Sequence, residues 1–197
     1  MFHVLVLCHG FTKQQDRNGN VQGKNRIDRQ YGVFLTVRRL FISFTPHYWG
    51  LKELKEMFGT YSKTSDCNFE ILAFPTNQFG LEEPEDNHEL LDTLKYIRPG
   101  NDYTPNFVIF GKTEVNGENE HPFFTMLKGV CPAPNGYIGH QFTYTYELMR
   151  NNDINWNFAK FLIDHRGIPY RRYMPVIHPY RLRDDIKRLI ERCMSKP

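Results

Sequence analysis

The chain has 197 residues, a formal net charge of +3, and 40% hydrophobic and 15% aromatic residues. That length sets one domain over 1–197 as the default, with enough apolar material for a core. The mild charge excludes the basic footprint of a nucleic-acid binder, and no apolar run reaches transmembrane length, so neither nucleic acid nor membrane is an expected partner. Cys8, Cys67, Cys131 and Cys193 are widely spaced, with no C-x-x-C and no zinc pattern, so neither a disulfide framework nor a metal is expected.

In chain order, Met1–Cys8 (M-F-H-V-L-V-L-C) lacks the basic start and small-residue cleavage site of a signal peptide and reads as a strand. Residues 9–30 are polar and turn-rich. Asp16-x-Asn18-x-Asn20 fails as a calcium loop because Val21 and Ile27 stand where Gly and Glu are needed, and Asn18-Gly19 reads as a hairpin turn. Gly32–Val37 reads as a strand. Thr45-Pro46 then reads as an N-cap followed by a first-turn proline, opening a helix over 46–58 with Leu51, Leu54, Met57 and Phe58 on one face and Gly59 as its stop.

Phe69–Phe74 is an almost continuous apolar run ended by Pro75, the pattern of a strand covered on both faces. With strand 32–37 and helix 46–58 it predicts a right-handed β-α-β unit. Thr76-Asn77-Gln78 fall just beyond the carboxyl end of that strand, where open α/β sheets place ligands. Further elements follow: a helix over Glu85–Ile97 with Leu90, Leu91, Leu94 and Ile97 inward, a strand at Phe107–Phe110, and a short helix at Pro122–Lys128. Asn157–Ile163 and Ile168–Tyr173 form a hairpin, and Arg181–Cys193 a final helix. His121, His140, His165 and His178 show no ligand spacing and read as structural.

Three blocks carry a resemblance. Phe74-Pro75-Thr76-Asn77-Gln78-Phe79-Gly80 resembles the F-P-C-N-Q-F-G signature of the glutathione peroxidases, with Thr76 in place of Cys. Asn106-Phe107, then Val115-Asn116-Gly117-Glu118 with Pro122, Phe124, Leu127 and Lys128, is similar to P-N-F…V-N-G-E…P-x-F-x-x-L-K. Trp156-Asn157-Phe158-x-Lys160-Phe161-Leu162, with Gly167, Pro169 and Arg171-Arg172-Tyr173, is similar to W-N-F-x-K-F-L…G-x-P…R-R-Y. The resemblance spans roughly residues 45–192, leaving residues 1–30 as a poorly matched segment. It implies an α/β, thioredoxin-like fold, a central mixed sheet flanked by helices. The activity it implies is reduction of hydrogen peroxide and organic hydroperoxides with glutathione as reducing co-substrate, without a bound cofactor, in the response to oxidative stress.

Peroxide reduction needs a soft anionic nucleophile, a thiolate or selenolate, beside neutral donors that steady developing charge. The resemblance assigns the donors to Gln78, Trp156 and Asn157 and predicts that they converge near the N-terminus of helix 46–58. It does not supply the nucleophile. Counted back from Thr45, Tyr48, Leu51 and Leu54, the selenocysteine or cysteine of N-V-A-S-x-(Sec/Cys)-G-x-T falls at Ile42, within Val37-Arg38-Arg39-Leu40-Phe41-Ile42-Ser43-Phe44-Thr45. Two explanations stand side by side: a non-catalytic relative, or a translation routed around a selenocysteine codon. Cys67 precedes strand 69–75 and belongs at the opposite end of the sheet, so it cannot substitute.

Leu94-Lys95-Tyr96-Ile97-Arg98-Pro99-Gly100 resembles an L-K-Y-V-R-P-G insert of the tetrameric, glutathione-using branch. By that resemblance Arg98, Arg171 and Arg172 are substrate-binding, and the 96–107 and 131–139 segments are contacts of a homotetramer.

Overall fold

The computed structural model describes residues 2–9, 34–59, 67–136 and 141–195. The proposed hairpin turn at Asn18-Gly19, the rejected calcium loop and His140 lie outside them. A five-stranded mixed sheet runs in the order β3-β2-β1-β4-β5. Its strands are β1 (Phe2–His9), β2 (Asn68–Pro75), β3 (Val108–Ile109), β4 (Lys160–Ile163) and β5 (Pro169–Tyr173). β2 and β3 are parallel, β1 and β4 parallel, and β1 and β2, like β4 and β5, antiparallel.

β2 shows why its sequence is apolar throughout. Phe69, Ile71 and Ala73 face one core and Phe74 the other, the two-residue alternation of a pleated strand. The first core also takes Leu162, Tyr173 and the helices α1 (Phe34–Gly59) and α4 (Arg183–Met194), through Tyr48, Leu51, Leu54, Ile186, Leu189 and Ile190. The second takes Phe161, Ile163 and α3 (Pro122–Val130), through Phe124 and Leu127. The sheet is therefore covered on both faces, as expected. The short helix at 122 is also where the sequence places it, and so is the hairpin except at its start: the expected strand Asn157–Ile163 begins only at Lys160, because Asn157 and Phe158 form a turn.

Four expectations are corrected. The first is the strand at 32–37: Phe34–Val37 are the opening turn of α1. Residues 34, 37, 41, 44, 48 and 51 are all apolar, a helical repeat that a short apolar run conceals. Second, α1 does not begin at Thr45-Pro46. Pro46 lies inside it, at the cost of the hydrogen bond its missing N–H would give the Ile42 carbonyl. Along the expected face Leu51, Leu54 and Phe58 are buried, but Met57 is 41% exposed.

Third, the position beside β2 is held by antiparallel β1, not by a parallel strand leading into α1. The parallel β-α-β unit is β2, a helical segment and β3. That segment is the fourth correction: Glu85–Glu89 form turns, and α2 (Leu90–Asp92) passes into a wider turn over Thr93–Ile97. Asp86 and Glu89 bond each other locally, the Asp86 N–H donating to Glu89 Oε2 at 3.0 Å and the Glu89 N–H to the Asp86 carbonyl at 2.9 Å. Leu90 and Leu94 are buried, whereas Leu91 and Ile97 are exposed.

A disulfide also joins Cys67 to Cys193, against the sequence reading, because pairing depends on distance in the fold and not on spacing in the chain.

Candidate functional site

Pro75 ends β2, and Thr76-Asn77-Gln78 form the loop at its carboxyl end. The loop is pinned to residues 143–145: the Gly80 N–H donates to the Thr143 carbonyl at 2.8 Å and the Thr145 N–H to the Gln78 carbonyl at 3.1 Å. Gly80 has φ +64°, a conformation that glycine adopts at little cost, and a Cβ there would sit 3.7 Å from the Trp156 ring. The Phe79 and Trp156 rings are 5.9 Å apart. The N-Q-F-G loop and the W-N-F turn therefore meet at Phe79, Gly80 and Trp156.

Gln78 is buried, and its amide is held by the next loop. Oε1 accepts the Val115 and Asn116 N–H groups at 2.9 and 3.0 Å, and Nε2 donates to the Asn116 carbonyl at 2.8 Å. Asn116 in turn brackets Ile154, donating to its carbonyl at 2.8 Å and accepting its N–H at 2.9 Å. One frame of hydrogen bonds thus runs from Gln78 through Asn116 to the segment that carries Trp156 and Asn157. Lys128 braces it from α3. Its buried ammonium donates to Asn116 Oδ1 at 3.1 Å, to Asp153 Oδ1 at 2.8 Å and to Glu120.

Asn157 is fully buried. Its Nδ2 donates to Glu82 Oε2 at 2.8 Å, while its Oδ1 has no hydrogen-bond partner. Phe158 follows at φ +62°, strained for a bulky side chain, and is stacked on Phe44 and packed against His47 and Tyr48 of α1. Phe158 therefore sits against the middle of α1, a helix that runs unbroken through position 42. Of the three candidate donors, Gln78 lines an open polar cavity of about 580 Å³ with Thr76, Asn77, Lys112, Glu114 and Tyr146. Trp156 and Asn157 do not line it.

Sequence reasoning missed two positioning groups. Glu82 is buried, and burial pushes its carboxyl up, against the opposing pull of the Asn157 amide and Arg98. Asn116 carries the frame. The signal for Asn116 was its place inside the V-N-G-E block, whereas Glu82 lies two residues beyond the block that ends at Gly80.

The three arginines are not brought together. Arg172 is buried and donates to the Asn152 and Asp153 carbonyls at 2.9 and 2.7 Å, over the Phe161 ring. Arg171, its neighbour on β5, points to the opposite face, pairs with Asp185 at 3.1 Å and is exposed. Arg98 donates to the Glu82 carbonyl at 2.9 Å. Cys131 is a buried free thiol whose pKa burial raises, the reverse of an activated nucleophile. His121 and His178 cap helical turns through Nδ1, accepting from Phe123 and Tyr180 N–H groups at 3.2 and 3.3 Å. Among the described residues no group of His, Cys, Asp and Glu is placed to hold a metal ion, and no helix is long and apolar enough to cross a membrane.

Residues 12–128 match the family described as glutathione peroxidase. The chain is 51% identical over 113 residues to a glutathione peroxidase of Dirofilaria immitis, a match covering 56% of this chain and 51% of that protein. It is 50% identical over 166 residues to a cuticular glutathione peroxidase of Brugia malayi, covering 83% of this chain and 74% of that one. The chain thus spans about half the length of the Dirofilaria relative. Among solved structures it is similar to Trgpx in apo form, at a TM-score of 0.51 and 20% identity, covering 96% of this chain and 81% of that one; that likeness bears on the fold alone. The sheet flanked by α1, α3 and α4 is a thioredoxin-like fold, and the chain belongs to the glutathione peroxidase family.

Proposed function

We propose that this chain carries the scaffold and charge-stabilising residues of a glutathione peroxidase-type oxidoreductase, one that reduces hydrogen peroxide and organic hydroperoxides with glutathione. The observation that carries the reading is the single hydrogen-bonded frame linking Gln78, through Asn116, to the Trp156–Asn157 turn. In such a cycle a thiolate or selenolate attacks one peroxide oxygen and an alcohol or water leaves. The oxidised nucleophile then condenses with one glutathione, releasing water, and a second glutathione restores it as glutathione disulfide. In that cycle the Gln78 and Asn157 amides and the Trp156 indole N–H would be the groups that steady the departing alkoxide; in this chain the two amides already donate to the Asn116 carbonyl and to Glu82. Of these three arginines Arg171 is the exposed one, and a glutathione carboxylate there would compete with Asp185 for it.

A second reading, a scaffold that binds without turnover, is favoured by one observation: Ile42 occupies the nucleophile position, in the interior of α1. A helix-interior backbone has its N–H groups committed to i→i−4 bonds and offers no positive terminus to a thiolate. The chain as it stands and an Ile42→Cys variant are both expected at background in an NADPH-coupled glutathione reductase assay. Grafting N-V-A-S-x-C-G-x-T over 37–45 brings glycine into α1 and frees Thr45-Pro46 to start the helix. It is expected to raise glutathione-dependent turnover on the order of 100-fold or more above the ungrafted chain. A folded graft that stays at background sinks the first reading. Strong turnover by the unaltered chain sinks the second, together with the assignment of position 42.

The same reading takes the protein as a homotetramer. Tyr96 and Ile97, in the insert, are 67% and 69% exposed and offer apolar surface to another copy. Light scattering is expected to give an oligomer, and a monomer at high protein concentration counts against it.

A further inference from the structure

Cys67 and Cys193 lie 126 residues apart in the chain, yet the fold joins them, with their Cα atoms 5.9 Å apart. Cys67 is buried immediately before β2. Cys193 is half-exposed in the last turn of α4. Ile186, Leu189 and Ile190 fix the body of α4 in the core, and Asp185 anchors its first turn through the Tyr173 hydroxyl at 2.6 Å. Glu191, Arg192, Met194 and Ser195 are exposed, so the disulfide is what fastens this final turn to the start of the sheet.

We propose that Cys67–Cys193 is a native redox-controlled latch, formed in an oxidising compartment and opened by thiol reductants at Cys193. Protein disulfides persist in such compartments and are rare where thiols are kept reduced. In opening, a reductant thiolate attacks Cys193 Sγ and Cys67 leaves as a thiolate. A second reductant thiolate then attacks the reductant sulfur of that mixed disulfide and Cys193 leaves as a thiolate, giving two protein thiols and a reductant disulfide. Closing so long a loop restricts the unfolded chain strongly, so opening lowers stability as well as freeing the last turn of α4. The latch is separate from the peroxidase reading: Cys67 lies at the opposite end of β2 from Pro75, roughly 20 Å from the Gln78 loop.

The test uses the full chain expressed through a secretory, oxidising route. Denatured without reductant and alkylated with iodoacetamide, it is expected to show a labelled Cys131 peptide and unlabelled, linked Cys67 and Cys193 peptides, both of which take label after reduction. Dithiothreitol is expected to lower Tm by about 5–15 °C. It is also expected to speed amide exchange over 190–195 while β2 and β4 stay protected. A Cys67→Ser/Cys193→Ser variant is expected to melt near the reduced protein and to ignore dithiothreitol. Labelling of Cys67 and Cys193 without reduction, or a Tm that reduction does not move, overturns the proposal.

Discussion

Lys128→Met is expected to lower stability by about 3–5 kcal/mol, because it removes the one cation buried between two carboxylates. The Lys128 side chain is 6% exposed, that of Glu120 7% and that of Asp153 fully buried, so the loss leaves two like charges facing each other out of water. Arg150 compensates only in part; it reaches Glu120 at 3.3 Å, but its side chain is half in solvent. The damage spreads to the site, since Lys128 also holds Asn116 Oδ1, and Asn116 positions both Gln78 and Ile154. Urea unfolding measures the loss through the midpoint at constant slope. Adding Glu120→Gln and Asp153→Asn to Lys128→Met is expected to recover a substantial part, because it removes the stranded charges. A single-variant loss below about 1 kcal/mol would show that the network is hydrated and that the frame does not depend on it.

The second large effect is a rise in stability with pH. Lys160 is fully buried in the W-N-F-x-K-F-L block, its ammonium 2.9 Å from His47 Nδ1 and donating to the Pro175 and Ile177 carbonyls at 2.8 and 2.6 Å. Burial pushes the Lys160 amine down to about 6. The unfolded chain, near 10.4, binds the extra proton anywhere between those values. The Lys160 contribution to stability therefore rises with pH from about 6 to about 10, with about 6 kcal/mol as its ceiling. The carbonyl acceptors favour the ammonium, so the realised rise is about 2–4 kcal/mol.

His47 acts in the same direction lower down. Burial, then Lys160 and His178, push it down to about 3, so stability falls as pH drops from about 6.5 towards 3. Chemical denaturation from pH 5 to 8.5 is expected to show the rise in the native protein and a nearly flat profile over 7–8.5 in Lys160→Met, below the range where the buried Cys131 thiol and the buried tyrosines, all pushed up by burial, begin to lower stability. Parallel profiles would mean that Lys160 keeps its proton in the fold.

Sequence by itself determined the elements whose pattern is local and complete. The apolar run 69–75 with its terminal proline, the hairpin read over 157–173, whose first strand starts only at Lys160, and the 182–193 stripe each bury most of what their periodicity says they bury. It also determined the family, because ordered motif blocks survive outside the altered segment, and it marked Gln78, Trp156 and Asn157 as the residues to watch. Only the tertiary structure decided the rest. Residues 34–37 read equally as strand or helix over so short a run, and the neighbouring turns of α1 settled it. Strand direction beside β2, the Cys67–Cys193 pair and the partners of Lys128 join segments far apart in the chain, which no local pattern encodes. Adjacency misled at Arg171-Arg172. A matching dipeptide suggests one shared ligand, but side chains alternate along a strand, so β5 sends one arginine to Asp185 and solvent and the other into the protein against Asn152 and Asp153.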